Sequence, residues 1–271
     1  MPELPEVETI ARNLRPVIAG QEITAAQLLW ARTLVEPGVE AFFLRVANRV
    51  VREIGRRGKY LLFHLGEDTL IIHLRMSGDL IVRPAGAPPA RHDRLILTFG
   101  KRCPAVSLAF NDARKFGRAW LVSDPKTVLG GLGPEPLSDT FTAGEFHRRL
   151  QAHRRQIKPL LLDQSFLAGI GNIYADESLH AAGIHPLTAS QAITPAQAEK
   201  LWQSLRATLN EGIRRNGASI DWVYRGGDFQ NYFRVYRRTG QPCRACGTSV
   251  VRIVVGQRGT HFCPQCQPKS A

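Results

Sequence analysis

No stretch of this 271-residue chain comes near the run of about 18 apolar residues that a membrane span requires. Nor does it open on a basic segment followed by an apolar one. MPELPEVET carries two prolines and three glutamates before the first basic residue, which excludes a secretory signal and points to the cytoplasm. Internal repeats and low-complexity tracts are missing, so a solenoid or a disordered tail is not expected. Acid is scarce: 23 Asp and Glu stand against 36 Lys and Arg, a net charge of +13. From Phe229 to Ala271 there is no acid at all, against seven basic residues. A second basic run, Arg45 to Lys59, holds six Arg and Lys against Glu53 alone. Such an excess says little about fold and much about partners, since Lys and Arg neutralise phosphates and release counterions. Nucleic acid is the partner class it favours.

Apolar residues make up 44% of the chain, enough for real cores. Residues 5–18 place Val7, Ile10, Ala11, Leu14 and Ile18 at helical spacing. Pro5 suits a first turn, the early glutamates suit its positive end, and Pro16 is expected to kink or end the helix. From residue 21 to about 122 the period changes. YLLFHL, TLIIHL, DLIVRP, RLILTF, VSLAF and RAWLV read as strands at short spacing, predicting a β-sandwich or barrel. LGGLGPEPLSDT reads as a linker. Helices follow over 143–153, 157–164, 173–182 and 195–215, then a strand pair holding four cysteines. The expected class is α+β. A β-sandwich domain with a leading helix spans 1–130, a helical domain 131–228, and a four-cysteine module 229–271.

Cys243, Cys246, Cys263 and Cys266 form C-x2-C-x16-C-x2-C. Two tight turns of this kind bring four thiolates into a tetrahedron, so one structural Zn2+ is expected. A cytosolic redox poise disfavours the alternative of two disulfides. Four thiolates leave no open position for catalysis. The site's task is then to hold up the basic hairpin that carries Arg258. Cys103 stands alone, as a core or loop thiol.

Met before a small residue is readily removed, which would leave Pro2 with a free secondary amine. An α-amino group has a pKa of about 8 against about 10 for lysine, so part of it is nucleophilic near neutral pH. A secondary amine that attacks an aldehyde-level carbon gives an iminium ion, cationic at every pH and a good electron sink. Glu3 adjoins the amine and Glu6 lies one turn along; either can handle a proton. Taken alone, Met-Pro and acids at a helix start are ordinary.

The ordered set MPELPEVET, GRRGKYL, HLRMSG, NDARKFG, GPEPL, IKPLLLDQSFLAGIGNIYADE and the four-cysteine module closely resembles the bacterial formamidopyrimidine-DNA glycosylases. The likeness runs from the first residue to the last cysteine. It implies a monomeric glycosylase and AP lyase that excises oxidised purines from double-stranded DNA. By that resemblance Pro2 attacks C1′, Glu3 donates protons, Lys59 serves β elimination, and Arg258 serves δ elimination. Met76 fills the void left by the flipped base, Arg114 pairs with the orphan cytosine, and Phe116 wedges the opposite strand; as side-chain types, Arg reads base edges and Phe stacks. A helix-two-turn-helix would grip phosphates through Asn172, Lys158 and Arg154, with Asn172 capping a helix whose free amides face an anion. His73 and His92 match further DNA contacts. Two departures concern damaged-base selection: the wording of 217–233, and Arg237 where the family usually has glycine. Two rivals stay open, an endonuclease VIII-like enzyme for oxidised pyrimidines and a non-catalytic DNA-binding protein.

Overall fold

The computed structural model describes residues 1–100, 104–219 and 226–269. Cys103 and positions 220–225 of the 217–233 segment lie outside them. The chain divides into two compact units. The first is built mainly from Glu6–Gly131. The second holds residues 132–218 and 226 onward, together with Glu3–Pro5.

The first unit begins with α1 (Leu4–Ile18), then β1 (Ile23–Leu28), β2 (Leu34–Glu36), α2 (Val39–Val46) and β3 (Glu53–Arg57). Six further strands follow: β4 (Tyr60–His64), β5 (Thr69–His73), β6 (Gly78–Pro84), β7 (Asp93–Phe99), β8 (Val106–Asp112) and β9 (Arg118–Val122). A short α3 (Lys126–Leu129) closes the run. The strands form two sheets, ordered β1-β7-β8-β6 and β2-β9-β5-β4-β3. Their inner faces share one apolar core, with Phe99, Leu108 and Phe110 from one sheet and Phe63, Leu70 and Leu121 from the other. The fold is therefore a sandwich and not a closed barrel. Val7, Ile10, Ala11, Leu14 and Ile18 of α1 are all buried in that core. Pro16 does not end α1, which runs on to Ile18. The proline lies in the last turn, and the buried Leu14 and Ile18 on either side of it hold the helix in place.

In the second unit come α4 (Ala143–Gln151), α5 (Ile157–Leu162), α6 (Asn172–Ala182) and α7 (Pro195–Arg214). Thr194 and Gln197 cap α7 reciprocally, and Pro195 takes its first turn. Nearly every residue of α6 is buried, including Asp176, Glu177 and Ser178. Its acids face inward because they have fixed donors. The Glu177 carboxylate accepts from the backbone N–H groups of Arg234, Val235 and Tyr236 at 2.8, 3.0 and 2.8 Å. The unit ends in a hairpin of β10 (Val251–Val255) and β11 (Arg258–Phe262), joined by Gly256 and Gln257 at φ 53° and 62°. Two left-handed residues give the turn that matches the natural twist of paired strands. No helix of the described residues is long and apolar enough to cross a membrane.

Candidate nucleic-acid interface and metal centre

In the first unit the residues of interest sit on two loops at one end of β5, β6, β8 and β9. Met76 lies between β5 and β6, and Arg114 and Phe116 lie between β8 and β9. Met76 is 38% exposed and Phe116 53%, unusual values for large apolar side chains. Read as ordinary hydrophobes they belong in the core; the structure puts them outside it. Each loop also contains a non-glycine residue in the left-handed region, Arg75 at φ 55° and Lys115 at 62°. That conformation costs about 1 kcal/mol apiece and is retained where the surroundings impose it. Arg114 is exposed, and His92 is half-buried.

His73 is buried, contrary to a surface contact. Its Nδ1 accepts the Arg75 N–H at 3.0 Å and its ring packs edge-on against Tyr60. Burial, reinforced by Arg75 and Lys59, pushes the imidazole down to about 3, so it is neutral and brings no charge to a phosphate. The ring instead supports the start of the Met76 loop. Lys59 is itself buried, at the turn between β3 and β4, and Pro2 is buried as well.

In the second unit Glu3 lies against the start of α6. Its carboxylate accepts the Ile173 N–H at 3.0 Å and the Tyr174 N–H at 3.4 Å. This overturns the expected cap. Asn172 is the first helical residue, Gly171 holds the cap position without a side-chain bond, and the anion on the helix end is Glu3. The glycines of GIGN have a reason. A Cβ on Gly171 would fall 2.3 Å from the Glu3 carboxyl carbon, and one on Gly169 would fall 2.8 Å from Leu4. The Asn172 side chain donates instead to the Gly259 carbonyl at 2.9 Å, tying α6 to the hairpin. Its Oδ1 is buried without a partner in the structure.

Lys158 departs furthest from expectation. It is fully buried, with its ammonium on the Asp176 carboxylate and 3.2 Å from the Gly259 carbonyl. It therefore does not lie on a surface that a phosphate can reach. Burial pushes the ammonium down and Asp176 pulls it back up, with Glu3 adding a smaller pull the same way and Arg258 opposing it. The other oxygen of Asp176 accepts from the His261 backbone at 2.9 Å. Burial pushes the neighbouring Tyr236 phenol up, with Asn172 opposing, so it stays protonated at neutral pH. Arg258 and Arg154 are exposed. Sequence reasoning missed Asp176, Glu177 and Tyr236. The available signal was acid inside an otherwise apolar helix, which requires buried donors.

The Sγ atoms of Cys243, Cys246, Cys263 and Cys266 lie within 4.8 Å of one another. Neighbouring pairs stand 3.5 to 3.9 Å apart, too far for disulfides and close to the edge of about 3.8 Å that a tetrahedral zinc with 2.3 Å bonds to sulfur sets. Backbone N–H groups of Ala245 and Cys266 point at Cys243 and Cys263 sulfurs, and His180 Nε2 lies 3.4 Å from Cys243. The four thiolates are positioned to bind one structural zinc ion.

Three family profiles match in sequence: the formamidopyrimidine-DNA glycosylase N-terminal domain over 1–119, the H2TH domain of the same enzymes over 132–223, and the zinc finger found in FPG and IleRS over 240–269. A formamidopyrimidine-DNA glycosylase of Chloroflexus aurantiacus is 47% identical, covering 98% of each chain. The chain belongs to the formamidopyrimidine-DNA glycosylase family. Solved members of that family have the same fold. The Lactococcus lactis enzyme in complex with DNA containing an abasic site gives a TM-score of 0.91 at 37% identity, over 98% of this chain and 100% of that one. The L. lactis enzyme with Fapy-dG DNA gives 0.91 at 38%, over 98% and 100%. The exposed Met76, Arg114 and Phe116 are thus met in a DNA-repair glycosylase framework with a zinc finger.

Proposed function

We propose that this protein is a bifunctional DNA glycosylase and AP lyase that removes oxidised purines, 8-oxoguanine and formamidopyrimidines, from duplex DNA. It works as a monomer in the bacterial cytoplasm, on nucleoid DNA. Residues 1–130 supply the nucleophile and the void-filling side chains, 131–228 the helix-two-turn-helix, and 229–271 the zinc-held hairpin. Once Met1 is removed, the Pro2 nitrogen bonds C1′ of the damaged nucleotide, and the base leaves with the C1′–N bond. Sugar-ring opening yields a cationic iminium. Loss of the C2′ proton expels the 3′ phosphate, and a second elimination expels the 5′ phosphate. Glu3 carries protons during base release and ring opening, Lys59 serves the first elimination, and Arg258 the phosphate beside the lesion. Met76, Arg114 and Phe116 enter the duplex as the base leaves the stack, an unstacking that costs a few kcal/mol. Arg154, His92 and Asn172 hold the backbone, while His73 and Lys158 act from within, by supporting the loops and hairpin that reach the DNA.

The observation that carries this reading is Glu3: two amides at the start of α6 fix its carboxylate one residue from the candidate nucleophile. The relatives' complexes with abasic and Fapy-dG DNA support the substrate class. The test is borohydride trapping on duplexes carrying 8-oxoguanine opposite cytosine or thymine glycol, with mass spectrometry first establishing a free Pro2. A covalent adduct and strand scission on the 8-oxoguanine duplex are expected. No adduct on either duplex overturns the enzyme, and a clear preference for thymine glycol reassigns it to oxidised pyrimidines.

A further inference from the structure

The two loops that carry Met76, Arg114 and Phe116 are joined by one side chain that no DNA would touch. Asp112, the last residue of β8, is 1% exposed. One oxygen of its carboxylate accepts the Ser77 hydroxyl, in the Met76 loop, and the Arg114 N–H at 3.2 Å. The other accepts the Gly117 N–H at 2.7 Å. The Ser77 oxygen also accepts the Arg114 N–H at 3.2 Å, closing a ring of bonds across the two loops. Asp112 itself has no freedom. Its N–H donates to the His92 carbonyl at 2.8 Å, and its own carbonyl accepts from Arg94 Nε at 2.8 Å.

The surroundings fit a locked pair of loops. Gly78 and Gly117 flank them, and a Cβ on either would strike the Phe110 ring, at 2.8 and 2.3 Å. Both loops therefore sit down on the same core side chain. Lys115 lies over the Trp30 ring at 3.9 Å, which anchors the second loop from its outer side. Arg75 and Lys115, each beside an exposed apolar residue, are held left-handed. Such backbone persists only where other bonds over-determine it.

We propose that Asp112 is a positioning residue: its carboxylate locks the Met76 loop to the Arg114–Phe116 loop, so that the three side chains enter duplex DNA as one preformed probe. The DNA half of this statement rests on the function proposed above. The chemistry calls for a carboxylate. Three donors converge on two oxygens, and an amide in its place would turn an NH2 group against at least one of them. The benefit is pre-organisation, since flexible loops would be ordered at the cost of binding energy at the moment the base is displaced.

The experiment uses the full-length, zinc-loaded protein. In Asp112→Asn, hydrogen exchange at the Arg114 and Gly117 amides is expected to speed up about tenfold or more, and the preference for cytosine over adenine opposite 8-oxoguanine to fall about tenfold. Ser77→Ala is expected to lower that preference by about threefold. Ser77→Thr, which keeps the hydroxyl, is expected to restore it. The double variant should be no worse than Asp112→Asn alone, because both residues belong to one network. Unchanged amide protection in Asp112→Asn refutes the lock. Faster exchange, or a lower melting temperature, with an unchanged opposite-base ratio refutes the positioning role. A wild-type protein that cleaves neither duplex removes the DNA half together with the function proposed above, while the exchange rates still decide the lock.

Discussion

The two units treat their chemistry-bearing residues in opposite ways. The first pushes apolar side chains out: Met76 and Phe116 stand on the surface while an acid, Asp112, is buried beneath them. The second draws charge in: Lys158 and Asp176 are both fully desolvated behind the hairpin, while Arg258 and Arg154 stay outside. A buried charge costs several kcal/mol unless it is paired and hydrogen-bonded, so it marks a frame. An exposed large hydrophobe forfeits its burial and marks a contact. On these loops and this hairpin burial separates the residues that hold from the residues that touch, where residue type alone does not; the buried Pro2, Glu3 and Lys59 follow a different rule, that of the proposed reaction centre.

Metal removal should break the contrast most severely. Structural zinc contributes roughly 10–16 kcal/mol to folding in small four-ligand modules, so a chelator or Cys263→Ser should unfold the β10–β11 hairpin. Trypsin would then cut at Arg252 and Arg258 while 6–131 stays resistant. A hairpin that resists trypsin without zinc would show that the thiolates are not its support.

Next in size is Lys158→Met, which strands Asp176 without its cation and should cost about 3–5 kcal/mol in urea unfolding. Adding Asp176→Leu should recover only part of that loss, because it leaves the buried His261 N–H without its acceptor. If Lys158 were a phosphate contact, stability would hold and the salt slope of DNA binding would instead drop by about one.

The smallest effect on stability belongs to the exposed probe. Met76→Ala and Phe116→Ala should stay within roughly 0.5 kcal/mol of the wild type, because neither is in the core. Both should nonetheless lose excision of 8-oxoguanine from duplex DNA. A melting shift equivalent to a core truncation would return these residues to the ordinary reading of Met and Phe.

Much of the architecture was legible in the sequence, and the gaps have a common cause. The six strands read from alternation and short apolar runs appear as β4 to β9, and the four helices of the second unit appear within a few residues. The three strands not read, β1, β2 and β3, are all sheet edges. ITAAQL, with its small alanines, and the charged EIGRR are largely half-exposed or exposed, because an edge strand has less to bury. α2 was hidden because VEAFFLRV buries only Phe42 and Val46, too little for a stripe. At the site, the zinc ligands were legible from spacing. The buried ion pair was not, since Lys158 and Asp176 are neighbours only through the packing of α5 on α6. The Asn172 cap failed for a similar reason: an acid far away in sequence outcompeted a local side chain.

That acid also sets an order of events. Glu3 is made 170 residues ahead of Ile173, the amide it must meet. At about 5–20 residues per second of synthesis, the head of α1 waits on the order of ten seconds or more for its anchor. The apolar face of the same helix finds its core partners within the first 121 residues. The sandwich can thus close early, while the three residues Glu3–Pro5 take their places among the last. The residue proposed to carry protons is also a clasp fastened only when the second half of the chain has been written.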